Sequence, residues 1–156
     1  MYPIVSMIIT YDSTLAVTVT KKSDSCFFVK MYSLETYELK FEEEFSGSFI
    51  RAKEVEQSPS GKNFALSFFE DGVFKLRVFT SENRDPATAK KQELNLNQVA
   101  GINDHTMTFY GFPDPYVVCT FLDEKRVFVA FFHAPSNTHY HLIYNSETKA
   151  VEGGHH

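Results

Sequence analysis

Tryptophan is absent from this 156-residue sequence, cysteine occurs twice and glycine seven times. Two cysteines, Cys26 and Cys119, are no disulfide framework for a chain of this size, and they form no Cys-x-x-Cys. Both stand in strand-like runs, where a small buried thiol is the plain reading. That favours a reducing compartment, and a cytoplasmic location is the expectation. No run of 18 apolar residues occurs, so no transmembrane helix is expected. No charged region precedes Ile4–Ile9 and no small-residue cleavage site follows, which argues against a signal peptide. Gly47, Gly61, Gly72, Gly101 and Gly111 stand singly at turns, so there is no glycine-rich phosphate loop, and no Gly-x-Ser-x-Gly elbow is present. A basic face is missing too. The net charge is −5, and the pairs Lys21-Lys22, Lys90-Lys91 and Lys125-Arg126 are separated by acidic stretches such as Glu42-Glu43-Glu44. Phosphate neutralisation supplies most nucleic-acid affinity, so nucleic acid is not the expected partner.

What is plentiful is phenylalanine, 16 residues, with 8 tyrosines, in a chain that is 43% hydrophobic. Aromatic and β-branched residues suit pleated, half-buried surfaces, and the periodicity agrees. Leu15–Val19, Phe27–Tyr32, Tyr37–Phe45, Phe64–Phe68, Phe74–Phe79, Met107–Phe112, Tyr116–Phe121, Arg126–Phe132 and Tyr140–Tyr144 read as strands bounded by polar turns. Only Pro86–Lys91 admits a helical turn. The expected class is all-β: antiparallel four-stranded meanders in a propeller-like arrangement, with a closed β-barrel or sandwich as the alternative.

Self-similarity separates these architectures. Thr10–Val19 with Val29–Thr36, Ser58–Phe68 with Phe74–Asn83, and Thr120–Phe131 with Tyr140–Thr148 share one order. Each runs strand, polar turn, strand, loop, then a strand ending in an aromatic and a Ser/Glu/Thr or Asn turn. Leu15, Phe64 and Val127 are read as equivalent, with an insertion near Arg84–His105. The expected organisation is one domain over 1–152 with units 1–47, 48–100 and 101–152. The tail 153–156 resembles the start of a purification tag and is set aside.

Ser58-Pro59-Ser60-Gly61-Lys62, an apolar strand, Asp71-Gly72 and then Val73–Phe79 resemble the interior of a WD40 repeat. Tyr32-Ser33-Leu34-Glu35-Thr36 stands where that family's Trp-Asp and following turn would stand, although no Trp-Asp is present. The resemblance implies a diverged propeller of about three blades, acting as a scaffold for protein partners. Propellers close with four to eight blades, so three leave two sheet faces open. A protein partner or further copies of the chain are therefore expected to cover them.

No residue pattern requires catalysis, a metal or a cofactor. His139 and His141 share one side of a strand and His133 lies across the Ala134–Thr138 loop, but no carboxylate or cysteine stands at supporting spacing. A Cys119–His105 or Cys119–His133 pairing is not encoded locally, and Asp12, Asp71 and Asp123 fit turn-capping roles. For recognition the strongest segment is Tyr110, Gly111, Phe112, Pro113, Asp114, Pro115 and Tyr116, where two prolines stiffen an aromatic loop; its plainer reading is a rigid turn covering the core. His133 and His139 are added as partner-contact candidates. Ser81–Lys91 is a second loop candidate, or simply a tolerated insertion. The expected function is a non-catalytic interaction module. The alternative is a small-molecule or glycan-binding β protein whose inward Phe side chains line a cavity. An enzyme would require a histidine and a carboxylate or cysteine to converge in a cleft.

Overall fold

A computed structural model describes residues 2–80, 92–102 and 116–155. Among them lie three antiparallel four-stranded sheets, each a simple meander. The first contains β1 (Ile4–Ile9), β2 (Leu15–Ser23), β3 (Cys26–Ser33) and β4 (Leu39–Ser46). The second contains β5 (Ile50–Gln57), β6 (Asn63–Glu70), β7 (Val73–Thr80) and β8 (Gln92–Asn95), followed by a one-turn helix α1 (Leu96–Val99). The third contains β9 (Val117–Phe121), β10 (Arg126–His133), β11 (Thr138–Asn145) and β12 (Ala150–His155), so the ladder runs through Gly153 and Gly154. Among the described residues no strand of one third enters another third's sheet, so the sheets are separate meanders and not one closed barrel. The predicted strand Met107–Phe112 and the possible turn Pro86–Lys91 lie outside the described residues.

Turn chemistry explains the meanders. Asp71 (φ 50°) and Gly72 (φ 90°) both take positive φ between the paired Glu70 and Val73, as a two-residue hairpin matching strand twist requires. The Asp71 carboxylate also accepts from Ser48 N (3.1 Å) and Phe49 N (2.7 Å), tying the β4–β5 connection to that hairpin. Tyr37, predicted within a strand, has φ 61° and lies in the turn before Leu39.

The sheets stack face to face. Val17, Val19, Val29 and Met31 of the first sheet share a buried cluster with Val55, Phe64, Leu66 and Phe68 of the second. The second sheet's opposite face, with Ala65, Phe69, Phe74 and Leu76, shares another cluster with Val117, Val127, Val129 and Phe131 of the third. Each sheet thus has a leading face, toward the sheet before it, and a trailing face, toward the next. Phe64, Phe68, Val127 and Phe131 are all at most 1% exposed, filling solid layers rather than lining a cavity.

Hydrogen bonds at the turns correct the predicted equivalence. Thr10 N donates to Leu15 O (3.0 Å), Ser58 N to Asn63 O (2.8 Å) and Leu122 N to Arg126 O (2.8 Å). Leu15 therefore matches Asn63 and Arg126, and Ala16 matches Phe64 and Val127. The shift is one residue, which in a strand exchanges faces. Polar contacts also cross the stack. Gln57 Nε2 donates to Ile9 O (2.9 Å) while its Oε1 accepts from Tyr11 N (3.1 Å). The Glu124 carboxylate accepts from Ser60 N, from Ser60 Oγ (2.8 Å) and from Asn63 Nδ2 (3.0 Å).

Candidate functional site

The first sheet's leading face has no sheet in front of it among the described residues. Its strands β1, β2 and β3 form an open groove of about 670 Å³, with Ile4, Met7, Ala16, Thr18, Thr20, Lys30 and Tyr32 among its walls. On the edge strand β1, Ile4 is 60% exposed and Met7 58%, so two large apolar side chains stand side by side in contact with solvent. The cross-strand register explains the pattern. Ile4 pairs with Thr20 and Met7 with Thr18, because a bulge between Ile4 and Ser6 lets residues three apart share one face, and Thr18 pairs in turn with Lys30.

Two features distinguish this surface from a bare apolar patch. The Oγ1 atoms of Thr18 and Thr20 are buried, with no hydrogen-bond partner among the described residues. An unsatisfied buried hydroxyl costs about 1–3 kcal/mol. Lys30 is the cation of the groove: its Nζ lies 3.9 Å from Glu42 Oε1 and 5.4 Å from the centre of the Phe28 ring.

The third sheet's trailing face has no sheet packed on it among the described residues either. Phe128 packs beside His141 (5.8 Å between ring centres) and Phe132 beside His139 (4.6 Å). Both histidines are exposed. His133 points to the other side of β10 and is 3% exposed, with its Nδ1 2.7 Å from Ser136 Oγ. It is not part of the exposed partner surface expected from the sequence, and it does not converge with His139. Of the aromatic loop, Tyr110, Phe112, Pro113, Asp114 and Pro115 lie outside the described residues. Tyr116 is 49% exposed, with Lys53 Nζ 4.8 Å from its ring centre.

The thiols are buried and unbonded to each other. Burial pushes the Cys119 thiol up to about 12, leaving almost no thiolate at neutral pH. Cys26 is raised by burial and by Glu44, whose Oε1 accepts from Sγ at 3.3 Å. No helix among the described residues is long and apolar enough to cross a membrane. Sequence reasoning missed the groove because β1 was not read as a strand.

Solved structures share this arrangement. The Swd1 β-propeller domain from Myceliophteria thermophila superposes with a TM-score of 0.63 at 12% identity, over 99% of this chain and 41% of that one. A eukaryotic initiation factor gives 0.62 at 12% identity, covering 99% of this chain and 32% of its own. The β-propeller domain of the Trilobed protease from Pyrococcus furiosus gives 0.61 at 14%, covering 99% and 42%. The chain spans about two-fifths of the length of those two propeller domains. No family model and no curated protein matches the sequence. Three stacked four-stranded meanders and these neighbours give the chain the all-β fold of β-propeller blades.

Proposed function

We propose that this chain is a non-catalytic interaction scaffold: propeller blades whose open end faces are covered by a partner protein or by a further copy. The observation that carries the reading is the first sheet's leading face, where Ile4 and Met7 are more than half exposed beside two buried, unpartnered threonine hydroxyls. Water solvates such a surface poorly, and a packed sheet would cover the apolar rows. On the opposite end His139, with Phe132, offers a second contact surface, and Tyr116 stands apart from it beside Lys53 of the second sheet. Two buried, unpaired thiols support a cytoplasmic setting. The neighbouring β-propeller domains, one of them from a protease, support the fold and leave the role to this surface.

The test is sedimentation velocity of the full chain combined with binding of the dye ANS. Association, or dye binding that Met7→Ser and Ile4→Ser diminish, is expected. A monomer that binds no dye would overturn the reading.

The groove also favours a second reading. Its volume of about 670 Å³ lies within the range of small-molecule sites, and Tyr2, Tyr32 and Tyr37 stand at its edge. A glycan or small apolar ligand would then occupy it. Saturable binding that Tyr32→Ala abolishes without altering association separates this reading from the first.

A further inference from the structure

The two internal junctions show how one sheet recognises the next. With Ala16, Phe64 and Val127 equivalent, the register makes Lys30, Arg77 and Leu142 equivalent on the three leading faces, opposite Thr18, Leu66 and Val129. The same register aligns Glu43, Leu94 and His155 on the outer strands β4, β8 and β12. At the first junction Arg77 pairs with Glu43 of the preceding sheet, their side chains 12% and 14% exposed. At the second junction Leu142 lies in the buried cluster against which Leu94 packs. Cation meets carboxylate, and apolar meets apolar.

Arg77 has a second acid, Glu93, on its own sheet, with Nε donating to Oε2 at 2.9 Å. Glu93 pairs with Arg77 across the ladder as Glu42 pairs with Lys30. The Lys30–Glu42 contact of 3.9 Å thus repeats the own-sheet half of the Arg77 arrangement. The preceding-sheet half, the counterpart of Glu43, comes from no described residue of this chain.

We infer that the first sheet's leading face is a docking surface for a four-stranded sheet of another polypeptide segment, one that presents a carboxylate to Lys30 from its outer strand. The exposed rows of Ile4 and Met7 are then covered. A second copy stacked head to tail fits poorly, because its β12 brings His155, not a carboxylate, to the register position of Glu43. The inference deepens the scaffold reading and rests on it.

The chain itself provides the probe. Residues 1–47 are placed ahead of residues 2–156, so that Gly47, Tyr2 and Pro3 replace Gly47, Ser48 and Phe49 as the connection into the following strand. The added sheet then offers its own Glu43 to Lys30. The expected results are slowed acetylation of Lys30 and a higher Tm. Lys30→Met and the added sheet's Glu43→Gln should each weaken folding, with the double variant differing from the product of the single effects by about threefold or more in the unfolding equilibrium. Protection of the face without that coupling would overturn the carboxylate inference while leaving the scaffold reading intact. An unchanged Tm with Lys30 still freely acetylated would remove both.

Should the extended chain fail to fold, His155→Glu in the unextended chain asks the same question, since it places a carboxylate at the other end. The variant is expected to sediment as a head-to-tail assembly that Lys30→Met dissolves. Retention of the wild-type sedimentation coefficient, or a wild-type dimer indifferent to Lys30→Glu, would overturn the inference.

Discussion

Arg77 reaches out of the second sheet to Glu43 on the outer strand of the first, while its guanidinium carbon sits 4.8 Å from the centre of the Phe45 ring. One side chain thus joins two sheets by charge and by stacking, in a position largely withdrawn from water. Removing either partner leaves the other charge partly buried. Arg77→Met and Glu43→Gln are each expected to cost about 1–2 kcal/mol, between the values typical of exposed and buried pairs. Urea denaturation measures this, and the double variant should cost less than the two single losses added together.

Asn97 is fully buried and fastens α1 to the β6–β7 hairpin. Its Oδ1 accepts from Phe74 N (2.8 Å) and its Nδ2 donates to Gly72 O (3.1 Å). Replacement by alanine strands a buried N–H and a buried carbonyl. Asn97→Ala is expected to cost about 2–3 kcal/mol, whereas exposed Gln98→Ala should change stability by less than about 0.5 kcal/mol. Thermal unfolding of the two variants compares them directly.

Acid should loosen the junction of the second and third sheets. Burial opposes the charge on Glu124, but hydrogen bonds from Ser60 and Asn63 outweigh it and hold the carboxyl below its ordinary value. A depressed folded-state value means that its stabilisation is complete above the ordinary glutamate value, about 4.3, and is lost as pH falls through the folded one. Tm followed from pH 7 to pH 3 should therefore fall in that lower window, and Glu124→Gln should flatten this part of the profile.

Cys119 should behave as an inert core thiol. With its value pushed up to about 12 and its side chain buried, it is expected to resist thiol reagents at pH 7–8 in the folded chain. Full reactivity should appear only across the unfolding transition. Rapid labelling of Cys119 under native conditions would show that β9 opens on its own.

Strand existence was legible along most of the chain because alternation and β-branched runs are local signals. Ser58–Phe79 also carried its hairpin in plain view, since Asp71-Gly72 allows few other turns. The face assignment of the first unit was not legible. Thr10–Leu15 and Ser58–Asn63 close turns of equal span, yet Leu15 resembles Phe64 in character more than it resembles Asn63, its true counterpart. The candidate groove was hidden for a related reason. Which side of β2 and β3 is covered depends on where the other sheets stack, and no local pattern encodes that. Asn97 gave no signal either, being one polar residue in a polar stretch. The aromatic loop remains a recognition proposal at Tyr116 alone among the described residues.

The leading and trailing faces also give the stack a polarity. Because the two ends differ, a sheet that joins by repeating the internal stacking does so like a link with a hook and an eye, trailing face to leading face. Union of this kind has no built-in two-fold symmetry: it ends only when curvature brings the last hook round to the first eye, and otherwise grows into a filament. The rotation between neighbouring sheets, rather than the strength of any single contact, thereby sets how many can gather before the circle shuts.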